Sequence, residues 1–513
     1  MLKIFGRSNR PRRFMSIGRL RCALGVCLGV ALGCSAIARP NRLPNIVLIV
    51  ADDLGYGDLG SYGQQVIQTP RLDRMAAEGM RFTQFYAGTT VCAPSRCVLM
   101  TGLHTGHARV RGNGSDRVET LKANDVTVAE VLKLAGYATA ICGKWGLGSD
   151  LPGNEGLPND HGFDFFYGYL SQVHAHNYYP TFLWRNKERV PLENVVRRVG
   201  RSLGGIATKK VQYSADLIRH QAIDFVKQHR NGPFFLYWPT TLPHGNSELN
   251  ATGGNGYEVP DFGIYADRSW PERDKGKAAM ITRMDADCGQ LFDTLHNLGI
   301  EDNTLVLFAS DNGPQPDRFV PGDRFHRSGP LRGMKRDMYE GGIRVPLIAR
   351  WPGKISAGDT SDWVGYFGDV FATLGALTRQ PVPKGLDSIS MLPTLMGNHA
   401  KQQQHDYLYW EFYEGGTKQA VRWHDWKAVR MPMITGNTEL YNLAIDPGET
   451  NDVAADHPDI VRRLEQMMQQ AHKPNPVWQA PTEKIAQKRQ LRSGHAGGSQ
   501  ATSHFEHAKS INR

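Results

Sequence analysis

Cysteine is scarce in this 513-residue chain, and long apolar runs are scarcer still. Three of its seven cysteines (Cys22, Cys27 and Cys34) fall in the first 38 residues. Cys92, Cys97, Cys142 and Cys288 remain for the body, too few for a disulfide framework, so a large core must hold the fold. The longest apolar stretch, residues 22–32, is short and broken by Gly25 and Gly29, so no stable membrane span is expected. Acid is absent from residues 1–38, which carry about +7. Residues 481–513 carry about +4 more, so the formal charge of +10 sits at the two ends and the remainder is near −1. A nucleic-acid-binding face is therefore not supported. Internal repeats are absent too, which leaves an ordinary globular enzyme or binding module.

What is present at the N-terminus reads as a signal peptide over residues 1–38. Basic residues precede the apolar run, and Ala36-Ile37-Ala38 fits a small-x-small cleavage site. Export to a periplasm or to the exterior is the expectation. Met15 is an alternative start. Two variants compete: Ala31-Leu32-Gly33-Cys34 is similar to a lipoprotein box that would anchor Cys34, and Arg12-Arg13-Phe14 to a twin-arginine signal.

The body, residues 44–400, alternates strand and helix patterns. Residues 45–50 form a continuous apolar, β-branched run, as in a strand buried on both faces of a parallel sheet. Thr127-Val128-Ala129-Glu130 is a capping box opening a helix that Gly136 stops. Strands are expected at 137–142, 233–238 and 304–309 as well. The fold class is α/β, a mostly parallel central sheet flanked by helices. Short strands at 408–410, 419–422, 426–430 and 439–442, then a helix over 460–468, give a small C-terminal α+β subdomain with an antiparallel sheet, residues 401–475. Residues 476–513 are polar and rich in Gly, Ser and Gln, as in a disordered tail.

Polar groups follow four strand ends: Asp52-Asp53, Lys144, His244 and Asp311-Asn312. In open α/β sheets, sites form at that rim. Each group alone has a plain structural reading. The Asp pair suits a turn or cap, Asn312-Gly313 tolerates positive φ, and a lone Lys is usually a solvated charge. Together, three carboxylates and one amide oxygen make a hard-oxygen cage suited to Ca2+ or Mg2+. Near it in this reading stands Cys92, in the run Cys92-Ala93-Pro94-Ser95-Arg96-Cys97-Val98-Leu99-Met100-Thr101-Gly102. Arg96 lies one helical turn from Cys92 and so on the same face.

That run resembles the signature of type I formylglycine-dependent sulfatases, arylsulfatase-like members of the alkaline phosphatase superfamily. Asp52-Asp53-Leu54-Gly55-Tyr56-Gly57-Asp58 and Ser310-Asp311-Asn312-Gly313-Pro314 resemble the family's metal segments. Residues 331–346 hold the specific Tyr339-Glu340-Gly341-Gly342-x-Arg344-x-Pro346, and 440–449 resemble the family's C-terminal subdomain. The resemblance spans about residues 44–475 and implies sulfate-ester hydrolysis, with a sulfated glycan as the fitting substrate for an exported enzyme. It implies that a maturation enzyme oxidises Cys92 to formylglycine. It implies metal ligands Asp52, Asp53, Cys92, Asp311 and Asn312, with Ca2+ usual and Mg2+ an alternative. Lys144 and Lys335 would hold sulfate oxygens, Arg96 would pair with a carboxylate or the hydrate, and His244 would protonate the departing alcohol.

One departure stands out. The family often reads Gly-Lys-Trp-His-Leu-Gly where this chain has Gly143-Lys144-Trp145-Gly146-Leu147-Gly148. The missing histidine usually helps deprotonate the hydrate, and His174 or His176 is the candidate replacement. Two alternatives stay open: a phosphodiester or phosphonate monoester hydrolase on the same scaffold, and an inactive sulfatase-like glycan binder motivated by Gly146. Tyr178, Tyr179, Trp184, Trp410 and Trp423 are either sugar-stacking or core residues.

Overall fold

The computed structural model describes residues 43–113, 119–150, 153–199, 203–316 and 323–485. The signal-peptide reading, with Cys34, lies outside them. Ten strands form the main sheet: β1 (Asn45–Ala51), β2 (Met80–Phe82), β3 (Ala138–Lys144), β4 (Phe165–Tyr169), β5 (Phe182–Arg185), β6 (Glu188–Pro191), β7 (Phe234–Pro239), β8 (Thr304–Ser310), β9 (Leu347–Arg350) and β10 (Asp359–Ser361). Their order is β10-β2-β9-β8-β1-β7-β3-β4-β5-β6. The five central strands, β8 to β4, are parallel. Antiparallel pairings flank them on both sides, through β9 and β2 on one side and β5 and β6 on the other. The expected parallel centre is present. The antiparallel margins are additional to it.

Period-two alternation in β1 explains the layering. Ile46, Leu48 and Val50 enter one core, and Val47, Ile49 and Ala51 enter the other. The second core is closed by α1 (Pro70–Ala77), α4 (Ser214–His229) and α5 (Glu272–Asn297). The first is closed by α2 (Cys92–Thr101), α3 (Val128–Leu134) and α6 (Gly368–Thr378). A separate four-stranded antiparallel sheet follows: β11 (Leu408–Phe412), β12 (Lys418–Trp423), β13 (Trp426–Arg430) and β14 (Thr438–Asn442). One face, with Leu408, Trp410, Ala420 and Val429, joins the first core. The other, with Tyr409, Val421, Ala428 and Leu440, packs on Leu464, Met468 and Ala471 of α7 (Pro458–Ala471).

Within the segment expected as a tail, residues 476–485 make packing and polar contacts. Ala480 is fully buried, Trp478 donates its indole N–H to Glu119, and Glu483 pairs with His472. Residues 486–513 lie outside the described residues. Cys92, Cys97, Cys142 and Cys288 are all buried free thiols. No helix among the described residues is long and apolar enough to cross a membrane.

Candidate active site

The parallel strands deliver their polar groups to one place. β1 runs into Asp52 and Asp53, and Asp53 takes a left-handed φ of 66°. β8 runs into Asp311 and Asn312, β3 ends on Lys144, and His244 follows β7 by a turn. Cys92 is the first residue of α2, where unpaired helix N–H groups favour negative charge. Lys335 arrives from a loop whose backbone N–H donates to Pro314 at 3.0 Å.

The contacts are close. Cys92 Sγ lies 3.1 Å from Asp52 Oδ1, 3.8 Å from Asp53 Oδ1 and 3.5 Å from Lys335 Nζ. Lys144 Nζ donates to Asp52 and Lys335 Nζ to Asp53, each at 2.7 Å. His244 Nε2 is 3.4 Å from Asp53 Oδ2. Arg96 grips Asp311 Oδ2 through Nε at 3.0 Å and Nη2 at 2.8 Å. Its remaining arm donates to the Lys144 carbonyl at 2.6 Å. Asn312 donates to Asp53 Oδ1 at 2.7 Å. Every one of these side chains is buried. The site therefore lies below the rim, inside the protein.

Burial and charge pull against each other here. Burial favours protonated Asp52, yet Lys144, then His244, Arg96 and Lys335, hold its carboxyl well below the usual range. Asp53 is likewise held down by Lys335 and His244 against its burial. Burial pushes Asp311 up to about 6 against Arg96, with Asp52 and Asp53 adding to the rise. Burial, followed by Asp311 and Asp52, pushes the Cys92 thiol far up despite both lysines. Burial and Lys335 lower His244 to about 3 against Asp53.

The donors fit a hard divalent cation. Ligand atoms of Asp52, Asp53, Cys92 and His244 all lie within 4.8 Å of one another. Asn312 Oδ1 is buried without a hydrogen-bond partner, an orphaned oxygen that a cation would satisfy. Three carboxylates and the cations Arg96, Lys144 and Lys335 already balance. Adding a divalent cation leaves about +2, a site electrically ready for an anion.

The two candidate histidines part company. They share one turn of 3-10 helix, His174–His176, in which residues two apart point about 120° apart. His174 is buried between the rings of Tyr169 and Phe182, and burial, then Arg189, lowers its pKa to about 3. The expectation of His174 as a candidate base is thereby corrected, since its ring is buried between these two aromatics. His176 lines a cavity of about 640 Å³ together with Cys92, Lys144, His244 and Lys335. Gln172 lines it too and lies over Gly146. Gly146 has φ +77°, and a Cβ there would sit 2.0 Å from Gln172 Nε2. The Gln172 amide thus fills the space that a side chain at 146 would need.

Sequence reasoning did not single out Arg327, Gln172 or Glu248. Arg327 clamps Asp58 with 3.0 Å contacts and donates to the Asp53 carbonyl at 2.9 Å, so it braces the loop that carries both aspartates. Nothing around a lone Arg marks it in a sequence. Of the aromatics, Tyr178, Tyr179 and Trp410 are core residues. A second cluster, His104, His107 and Asp387, is held by hydrogen bonds. His104 Nδ1 accepts the Gly106 N–H, which leaves the ring proton on Nε2 facing Asp387.

A family model described as Sulfatase matches residues 44–382, and one described as N-sulphoglucosamine sulphohydrolase, C-terminal, matches 334–474. An N-acetylgalactosamine-6-O-sulfatase of Bacteroides thetaiotaomicron is 31% identical, with 84% of this chain and 93% of that protein covered. The N-acetylgalactosamine-6-sulfatase of Rattus norvegicus is 33% identical over 82% of this chain and 77% of that one. The crystal structure of Ps i-CgsB in complex with k-i-k-neocarrahexaose matches with a TM-score of 0.69 at 26% identity, over 87% of this chain and 97% of that one. These likenesses favour neither the phosphoester alternative nor the inactive binder. The chain belongs to the sulfatase family and is a sulfuric ester hydrolase.

Proposed function

We propose that this sulfatase removes sulfate from a sulfated carbohydrate, with position 92 converted to formylglycine by a maturation enzyme and Ca2+, or Mg2+, in the acidic cage. The carrying observation is the Cys92 thiol at the start of α2, enclosed by Asp52, Asp53 and Lys335. As a thiol it is buried and its pKa is pushed up, so it makes a poor nucleophile unmodified. A hydrated aldehyde at this position would supply the attacking hydroxyl, and a hard cation held beside it would supply charge stabilisation.

The chain's own residues then have clear tasks. Asp52, Asp53, Asp311 and Asn312 hold the cation. Lys144 and Lys335 balance the aspartates and offer N–H donors to sulfate oxygens as charge builds on them. Arg96 orients Asp311. His244, which lines the same cavity as Cys92, is the residue that would protonate the departing alcohol. A carbohydrate substrate is supported by the relatives named for N-acetylgalactosamine sulfate and by the neighbour solved with an oligosaccharide. Export, on the leader described above, fits the same reading.

Two measurements test it. Peptide mass spectrometry of active protein should show an aldehyde at position 92 and intact thiols at 97, 142 and 288. A screen of sulfated glycans with sulfate detection should show release, and Cys92→Ala should abolish it. Full activity with an unmodified Cys92 overturns the reading.

A further inference from the structure

The cavity over Cys92, about 640 Å³, is larger than a sulfate group needs, so the rest of it is shaped for what the sulfate is attached to. Part of its lining is built jointly by three segments far apart in the chain. Arg336 follows Lys335, Glu414 sits in the turn between β11 and β12, and Asn113 comes from the segment after α2. Arg336 Nη1 lies 2.8 Å from Glu414 Oε2. Glu414 Oε1 accepts the Asn113 N–H at 2.5 Å, and Asn113 Oδ1 accepts the N–H of Ala93, beside Cys92, at 2.9 Å. Hydrogen bonds thus run from the C-terminal sheet to the first turn of α2.

Arg336 is held there by its backbone. Its φ is +81°, a left-handed value that a bulky residue adopts only where the surroundings hold it. The N–H donates to the Thr90 hydroxyl at 2.7 Å and to the Thr90 carbonyl at 3.1 Å, and the Arg336 carbonyl accepts Lys418 Nζ at 2.6 Å. Thr90 precedes α2 and Lys418 opens β12, so the main body and the C-terminal sheet both pin this residue. Glycine would take this φ without strain, so an arginine here points to a use for its side chain. Strain of this kind gathers at ligand-binding positions. The side chain is 41% exposed, within reach of a substrate. Other ionisable groups of the lining are turned to protein partners. His176 Nδ1 faces Glu248 at 3.2 Å, and Arg273 donates to Asn250 at 2.7 Å and to Gly254 at 2.9 Å.

We propose that Arg336 and Glu414 together form the subsite that holds two neighbouring hydroxyls of the sulfated sugar. The inference rests on the carbohydrate reading above and names the residues that choose among carbohydrates. Adjacent ring hydroxyls stand at hydrogen-bonding distance from each other, as the guanidinium and the carboxylate do here. One hydroxyl accepts a guanidinium N–H, and its neighbour donates to a carboxylate lone pair. A second anionic group on the sugar fits less well, because Glu414 offsets the charge of Arg336 and would repel it. Both residues determine specificity and take no part in the bond changes at sulfur.

The test compares a panel of sulfated hexoses, N-acetylgalactosamine 6-sulfate among them, with 4-nitrophenyl sulfate, which has no such hydroxyls. Glu414→Gln should lower kcat/KM for the best-cleaved sugar roughly 10–100-fold, mostly through KM, since the contact is present before and during bond breaking. The loss for the aryl ester should stay under about threefold. Arg336→Gly, which takes the same φ freely, should show the same split. Arg336→Lys, which keeps the charge and loses the planar fork, should not restore the sugar rate. On the deoxy sugar that lacks the hydroxyl held by Glu414, parent and Glu414→Gln should turn over alike. Parent turnover of 4-nitrophenyl sulfate tests the sulfatase reading separately. A parent that cleaves the aryl ester and none of the sugars would overturn the carbohydrate reading and the subsite with it. Equal losses on sugar and aryl ester would overturn the subsite alone and make the pair a structural support. A gain by Glu414→Gln on a sugar bearing a carboxylate or a second sulfate would also overturn it, because Arg336 would then be reading an anion.

Discussion

Asp311 and Arg96 are both wholly buried and paired at 2.8 Å, which ties metal binding to stability. A cage on the rim would lose its metal without loss of fold, but this one is internal. Asp311→Asn should abolish activity and also leave the Arg96 charge half-satisfied, at about 3–5 kcal/mol of stability, read from urea unfolding. Chelation separates the two effects, because it removes the cation without touching Arg96. Exhaustive chelation should abolish turnover, and Ca2+ or Mg2+ should restore it. Turnover that survives both treatments would refute the metal site. The residues of this cage were legible because each sits in a contiguous motif at a strand end. His176, Glu248 and Gln172 were harder to place. Their roles depend on which way a 3-10 turn points its rings, and on Gln172 reaching back to the space above Gly146. No spacing rule in a loop conveys that.

At the scale of single elements, local chemistry was readable wherever it was regular. The capping box at α3 is formed as its sequence implies: Thr127 N–H donates to Glu130 at 2.7 Å, and the Thr127 hydroxyl accepts the Glu130 N–H. The same hydroxyl donates to the His161 carbonyl at 2.8 Å. Thr127→Ala should cost about 1–2 kcal/mol. Since α3 packs in the first core and lines no part of the active cavity, kcat should be unchanged. Urea midpoints with parallel assays check this, and a fall in kcat without a fall in stability would contradict it. Other elements carry little pattern. β2, β9 and β10 have three or four residues, too few to show a period. The 26-residue α5 escaped because Arg273, Asp274, Lys277, Asp285 and Asp287 are buried on it and break the apolar stripe.

For the molecule as a whole, the joint between the main body and the C-terminal sheet is ionic at its centre. Lys427 of β13 is fully buried between Glu340, at 2.9 Å, and Glu449, at 2.8 Å. Glu449 also accepts the Glu340 backbone N–H at 2.6 Å, and Glu340 accepts the Tyr86 hydroxyl at 2.7 Å. Lys427 is shared between the two carboxylates, and only Glu340 has a further cation, Arg344 at 3.3 Å, so the two hold their protons differently. Against its burial, Glu340 is held at about 2 by Lys427, then Arg344 and Arg422. Burial pushes Glu449 up to about 7, with Glu340 adding to the rise and Lys427 opposing it. Between the ordinary glutamate value of 4.5 and about 7, the folded protein keeps a proton that the unfolded chain has lost. Stability from this group therefore falls as pH rises through that window, by about 3 kcal/mol at most. Glu449→Gln should flatten the slope. Lys427→Met should cost about 3–5 kcal/mol at pH 8, because it leaves Glu449 without a counter-ion and Glu340 with Arg344 as its remaining ion-pair partner. At pH 5 the loss should be smaller, since without the ammonium both carboxyls take up protons more readily. Denaturant unfolding at the two pH values decides the matter. An equal loss at both would mean that Lys427 holds the joint through its apolar stem, and that its charge contributes nothing there.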